Sequence, residues 1–202
     1  MAVLGGRWDK SMDRRAGACC LLLLLGWIGQ SAGAPLTVIG HTVPPRITIE
    51  GAEQTVYLRG HVRVERKLLP WYTIALHISP RVRSAEQLER GLEILSLTLI
   101  WQENDADRAA VQDYFAQLFT QTSAYAAQDA MSAHIADFVA KLPATRRGEV
   151  WRLDYWPDAG MRIYIDGRFW QRVSGIDMNR AVLGLWLGRK ADAAVRSGLL
   201  TP

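Results

Sequence analysis

The sequence predicts an α+β fold: an open antiparallel β-sheet with a layer of α-helices packed on one face. Three observations carry this. Between Thr55 and Glu65, apolar Val56, Leu58, Val62 and Val64 alternate with Arg59, Arg63 and Glu65, the period of a half-buried strand. Val111, Tyr114, Phe115, Leu118 and Phe119 fall at helical spacing on one face. Asp166-Gly167 separates two strand-like runs, and both residues tolerate the positive φ of a tight hairpin turn.

The elements follow in order. Residues 35–45 hold three prolines and read as an irregular lead-in with one short extended piece. The alternating strand comes next, interrupted at Gly60. "WYTIALHIS" is aromatic and β-branched, a strand apolar on both faces. Ser84, with Glu86 and Gln87 close behind, starts a short helix. "EILSLTLIW" is a strand. Two helices fill the middle, the one at Val111–Phe119 and a second over about residues 127–142, with Met131, Ile135, Phe138, Val139 and Leu142 on one face. "GEVWRLDYW" and "GMRIYIDGRFWQRVSG" are strands. Asp177 is placed to cap a helix containing "AVLGLWLG" that ends at Gly188, and residues 192–200 form a last helix. The "AVLGLWLG" helix is apolar all round, so it belongs in the core, with Trp186 buried and a close backbone contact expected at Gly184.

At 202 residues, with 22% charged and 49% hydrophobic side chains, the chain is one ordinary globular domain behind a leader. Residues 1–34 have the anatomy of a secretory signal peptide: Arg14-Arg15, an apolar run over 16–28 and a small-residue end, with Met12 an alternative start. The expected product is residues 35–202, periplasmic or secreted, with an uncleaved N-terminal anchor as the weaker alternative. The leader carries four basic and two acidic residues, so its removal halves the net charge of +4. That leaves little support for a nucleic-acid partner. It also carries both cysteines, Cys19 and Cys20, so thiol and disulfide chemistry leave with it. No segment of the remainder is long and apolar enough for a stable membrane span. The four histidines are scattered and no phosphate loop or nucleophile elbow is present, so neither a metal nor a cofactor is expected. Asp154, Asp158 and Asp166 read as turn and solvated-face acids rather than a glycosidase pair. The tryptophans read first as core packing.

The tail "GEVWRLDYWPDAGMRIYIDGRFWQRVSGIDMNRAVLGLWLG", followed by "LL", resembles the bacterial chalcone isomerase-like proteins, and "LRGHVRVERKLLPWYTIALHI" is similar to that family's upstream strands. The resemblance spans nearly all of residues 35–202 and implies the same helix-backed antiparallel sheet. Plant members isomerise chalcones to flavanones; non-catalytic members bind fatty acids in the corresponding cleft. Matched residue by residue, the family's arginine falls on Arg63 and its threonine on Tyr72, with Thr73 adjacent. Its last-helix hydroxyl residue falls on Asn179. The plant enzymes' tyrosine and asparagine fall near Arg108 and Phe115, so neither type is retained, and Ala191 stands where a proline is common. For a domain that the leader marks for export, the resemblance implies binding of a small apolar carboxylate or phenolate in a cleft between sheet and helices, without catalysis. Its candidate ligand contacts are Arg63, Tyr72, Thr73 and Asn179, and no residue is assigned as catalytic. An isomerase acting on a chalcone-like or other phenolic substrate is the alternative. A structural or partner-binding envelope protein with a filled cleft is the second.

Overall fold

The computed structural model describes residues 35–122 and 129–201, so the expected leader and the first residues of the expected second central helix lie outside the described residues. In chain order the elements are β1 (Leu36–Val38), β2 (His41–Val43), β3 (Arg46–Ile49), β4 (Gln54–Arg66), β5 (Leu69–Ile78), α1 (Ala85–Glu89), β6 (Leu95–Trp101), β7 (Asp105–Ala106), α2 (Arg108–Thr122), α3 (Asp129–Lys141), β8 (Thr145–Arg146), β9 (Val150–Trp156), β10 (Gly160–Ile165), β11 (Arg168–Val173), α4 (Ile176–Leu187) and α5 (Ala193–Leu200).

Seven strands form one antiparallel sheet in the order β11-β10-β9-β6-β5-β4-β3. The pairings Tyr72↔Trp101, Ile74↔Leu99 and Leu76↔Leu97 run across its centre and continue to Trp151 and Leu153 on β9. These side chains face the helical layer and merge with Val111, Phe115 and Phe119 of α2, Phe138 of α3 and most of α4 in one core. The other face is covered at its centre by the β1–β2 hairpin, where Val38 and Val43 bury Ala75 and Ile100. Burial on both faces explains why β5 and β6 read as continuous apolar runs.

The short lead-in, residues 35–45, thus holds two strands, the β1–β2 hairpin, rather than one extended piece, and β3 follows it and pairs with β4 at the sheet edge. Gly60 does not interrupt β4. It follows a bulge that leaves Arg59 unpaired, and it lets the backbone of α5 lie on the strand: a Cβ there would sit 2.7 Å from the carbonyl oxygen of Leu199. Ser84 caps α1 in a capping box with Gln87, as the spacing predicts. Asp166-Gly167 joins β10 to β11 with φ of 48° and 76°. Asp177 lies in the first turn of α4, where its charge meets the helix dipole, but Gly175 is the N-cap. Trp186 is buried. The expected close contact at Gly184 is absent, since a Cβ there would meet nothing within 4 Å; the tight approach is at Gly188, whose Cβ would meet the Gly184 carbonyl oxygen at 2.7 Å.

Candidate functional site

The four residues singled out by resemblance do not converge. Tyr72 is fully buried on the helix-facing side of β5. Thr73, its neighbour, points to the opposite face and accepts a hydrogen bond from Gln102 Nε2 at 2.9 Å. Arg63 pairs across the strands with Thr73, so the two share that outer face. The Arg63 side chain is 61% exposed and pairs with Glu65 at 3.0 Å. Arg63, Thr73 and Gln102 line an open hollow of about 570 Å³ beside the β1–β2 hairpin. Asn179 sits in the first turn of α4. Its Nδ2 donates to the Gly175 carbonyl at 2.7 Å, and its buried Oδ1 has no partner. Trp186, which touches Tyr72, is two helical turns further on, about 10 Å along the axis.

A different set gathers around Tyr72. Trp186 Nε1 donates to the Tyr72 hydroxyl at 2.8 Å, and the hydroxyls of Tyr72 and Tyr114 are 2.9 Å apart. Because Tyr72 is sealed from water, its own proton needs an acceptor, and Tyr114 is the one in reach. That direction leaves the Tyr114 proton available to a further acceptor. Burial pushes the Tyr72 hydroxyl well above the ordinary phenol range and raises Tyr114 as well, so both are neutral donors at neutral pH.

Arg66 completes the group. Alternation along β4 places it on the same side as Val62 and Val64. Its guanidinium lies 4.8 Å over the Trp71 ring and 5.9 Å from that of Tyr114, while Nη1 donates to the Ala110 carbonyl at 3.2 Å. Trp71 is the extra residue of a bulge, since Val64 pairs with Tyr72 and Glu65 with Pro70. It packs edge-on against Trp101, and the indole nitrogens of both are buried without an acceptor. Beyond these polar groups the space between sheet and helices is apolar, lined among others by Phe115, Phe138, Leu142 and Val182, and closed to a void of about 10 Å³. Sequence reasoning passed over Arg66, Tyr114 and Trp186. Period two on β4 was the signal for Arg66, because it sets Arg63 on the polar face.

The acids are placed differently from expectation in one case. Asp154 is buried rather than solvated, accepting from Ser96 Oγ at 2.7 Å and ion-paired with Arg152, whose Nε lies 3.1 Å from Oδ2. Among the described residues no cluster of three or more potential metal ligands occurs, and no helix is long and apolar enough to cross a membrane.

Comparison with known proteins places this geometry. No curated protein matches the chain. Among solved structures, a fatty-acid binding protein of Arabidopsis thaliana superposes with a TM-score of 0.60 at 14% identity, covering 83% of this chain and 96% of that one. At that identity the likeness is one of fold. The pattern of the chalcone isomerase-like proteins matches residues 36–201, nearly the whole described chain. The chain belongs to the chalcone isomerase-like family.

Proposed function

We propose that this protein binds a small apolar acid, a fatty acid or an aromatic acid, without transforming it. The observation that carries the reading is the donor group Arg66–Tyr114–Tyr72–Trp186 at the end of an otherwise apolar interlayer. Small-molecule sites are commonly built this way, mostly apolar with a few convergent polar groups. The acid group accepts from the Tyr114 hydroxyl and from the Arg66 nitrogens not engaged with Ala110, and the tail lies between α2, α3 and the sheet. The tail enters by moving Phe115 and Phe138, because the resting space is small. The protein acts after export, its leader removed near residue 34; a leader still attached in the intact mass of protein from a secreting host would refute that step.

The test is lipid extraction and mass spectrometry of the purified protein, followed by fatty-acid titration of variants. Arg66→Gln and Tyr114→Phe each weaken binding about tenfold, the loss of one hydrogen bond to a charged group. Arg63→Ala, on the outer face, leaves it unchanged. Binding lost with Arg63→Ala but kept with Arg66→Gln would overturn the assignment of the site.

The filled interlayer favours a second reading, a structural or partner-binding domain whose cleft is occupied by its own aromatic side chains. No bound lipid and no saturable fatty-acid binding would select it. Chalcone turnover above the spontaneous rate would instead select the isomerase alternative.

A further inference from the structure

A further cavity, of about 700 Å³, opens between α1, α4, α5 and Thr122 at the end of α2. Among the described residues its lining is strongly cationic: Arg90, Arg180, Arg189, Lys190 and Arg196 face two acids, Glu86 and Glu89. Two of the arginines are fixed by their Nε atoms. Arg180 Nε donates to the Arg90 carbonyl at 2.9 Å, and Arg196 Nε donates to the Leu187 carbonyl at 2.9 Å. Such anchoring holds the guanidinium planes; Arg180 Nη1 also pairs with Asp177 Oδ1 at 3.6 Å, whereas Arg196 makes no salt bridge among the described residues. The ion pairs within the cavity are long, 3.8 Å for Arg90–Glu86 and 3.9 Å for Arg189–Glu89, and Lys190 makes no salt bridge among the described residues. The floor is bare helix: Gly184 lines the cavity, and a Cβ there would meet nothing within 4 Å.

We infer that this cavity is a binding site for a phosphate-bearing anion. Five cations against Glu86, Glu89 and Asp177 leave an excess of two positive charges, which together with fixed, forked guanidinium donors suits a doubly charged tetrahedral group better than a single carboxylate. The inference does not depend on the apolar-acid site. The phosphate can belong to a free small molecule or to a phospholipid headgroup, and the experiment distinguishes the two.

Inorganic pyrophosphate is titrated into the purified protein by calorimetry, and sedimentation is measured with phosphatidylglycerol and phosphatidylcholine vesicles. Gly184→Leu is the decisive variant. It fills the floor without altering charge and replaces glycine inside a helix by a good helix former, so the fold is retained. Saturable pyrophosphate binding that falls at least tenfold in Gly184→Leu and in Arg180→Gln/Lys190→Gln, but not in the surface control Lys67→Gln, supports the site with a free phosphate ligand. Phosphatidylglycerol-selective sedimentation lost in the same variants supports it with a lipid headgroup. No binding of either probe, or binding that Gly184→Leu leaves unchanged, overturns it.

Discussion

Trp186 Nε1 donates to the Tyr72 hydroxyl at 2.8 Å, tying α4 to the central strand β5 across 114 residues of sequence. Both groups are buried, so the bond is made in a medium where a lost partner is not replaced by water. Tyr72→Phe removes the acceptor and leaves the Trp186 N–H and Tyr114 without it. The expected cost is about 1–3 kcal/mol, the usual penalty for an orphaned buried donor. Urea denaturation with unchanged slope and a lowered midpoint is the measurement. Stability within error of wild type would mean that the indole finds another acceptor.

The β4–β5 hairpin turns through Lys67-Leu68 with φ of 51° and 67°, a two-residue loop in which both residues are left-handed and neither is glycine. Leu68 is 90% exposed, so no packing offsets the strain. Replacing the pair by Asn-Gly, the residues this turn type prefers, is expected to stabilise the protein by about 1–2 kcal/mol. Thermal unfolding of Lys67→Asn/Leu68→Gly checks it, and a lowered Tm would show that the native turn makes a compensating contact.

The central architecture was legible because its signals are local. Period two marks β4, helical spacing marks α2, and Ser84 with Gln87 marks the start of α1. What resisted reading depends on partners distant in sequence. The β1–β2 hairpin exists because Ala75 and Ile100 on the outer face need a cover, which residues 36–43 do not reveal by themselves. The candidate site shows a sharper conflict. Family matching selected Arg63, but strand alternation had already grouped Arg63 with Arg59 and Glu65 on the polar side; the alternation agrees with where the side chain lies. Tyr114 was visible only as one more apolar-face residue of α2. Its hydroxyl gains meaning from Tyr72, 42 residues away.

Two glycines exchange the roles the sequence suggests for them. Gly184→Ala adds a methyl to open space in a helix interior and is expected to stabilise by about 1 kcal/mol. Gly60→Ala places a Cβ within 2.7 Å of the Leu199 carbonyl oxygen and 2.8 Å of that of Thr201, so α5 must lift from β4. An expected loss of about 2–3 kcal/mol follows, in the range of overpacked sites. Denaturation midpoints of the two variants, moving in opposite directions, are the readout; a Gly60→Ala protein as stable as wild type would show that α5 shifts at no cost.

His77 makes the fold sensitive to mild acid. Its Nε2 lies 2.8 Å from the Pro44 carbonyl, an acceptor only, so that nitrogen carries the proton, and Nδ1 is buried with no partner. Burial lowers the pKa from its ordinary value of 6.5, outweighing the opposing bond to Pro44. The unfolded chain therefore takes up a proton on His77 before the folded one does. Stability is then complete above the ordinary value and is lost as pH falls below about 6.5 towards the folded pKa. Asp154 and Glu149, both raised by burial, act in the opposite sense, becoming less costly as acid protonates them. Their effect runs from the raised folded values down to the ordinary 3.8 and 4.5 and is common to wild type and a His77 variant, so comparing the two isolates His77. His77→Gln removes the titrating group, so the variant's urea midpoint is expected to change less than wild type's between pH 7.5 and 6.0 (about these values, bracketing the ordinary histidine range). Equal changes in the two proteins would place the acid sensitivity elsewhere.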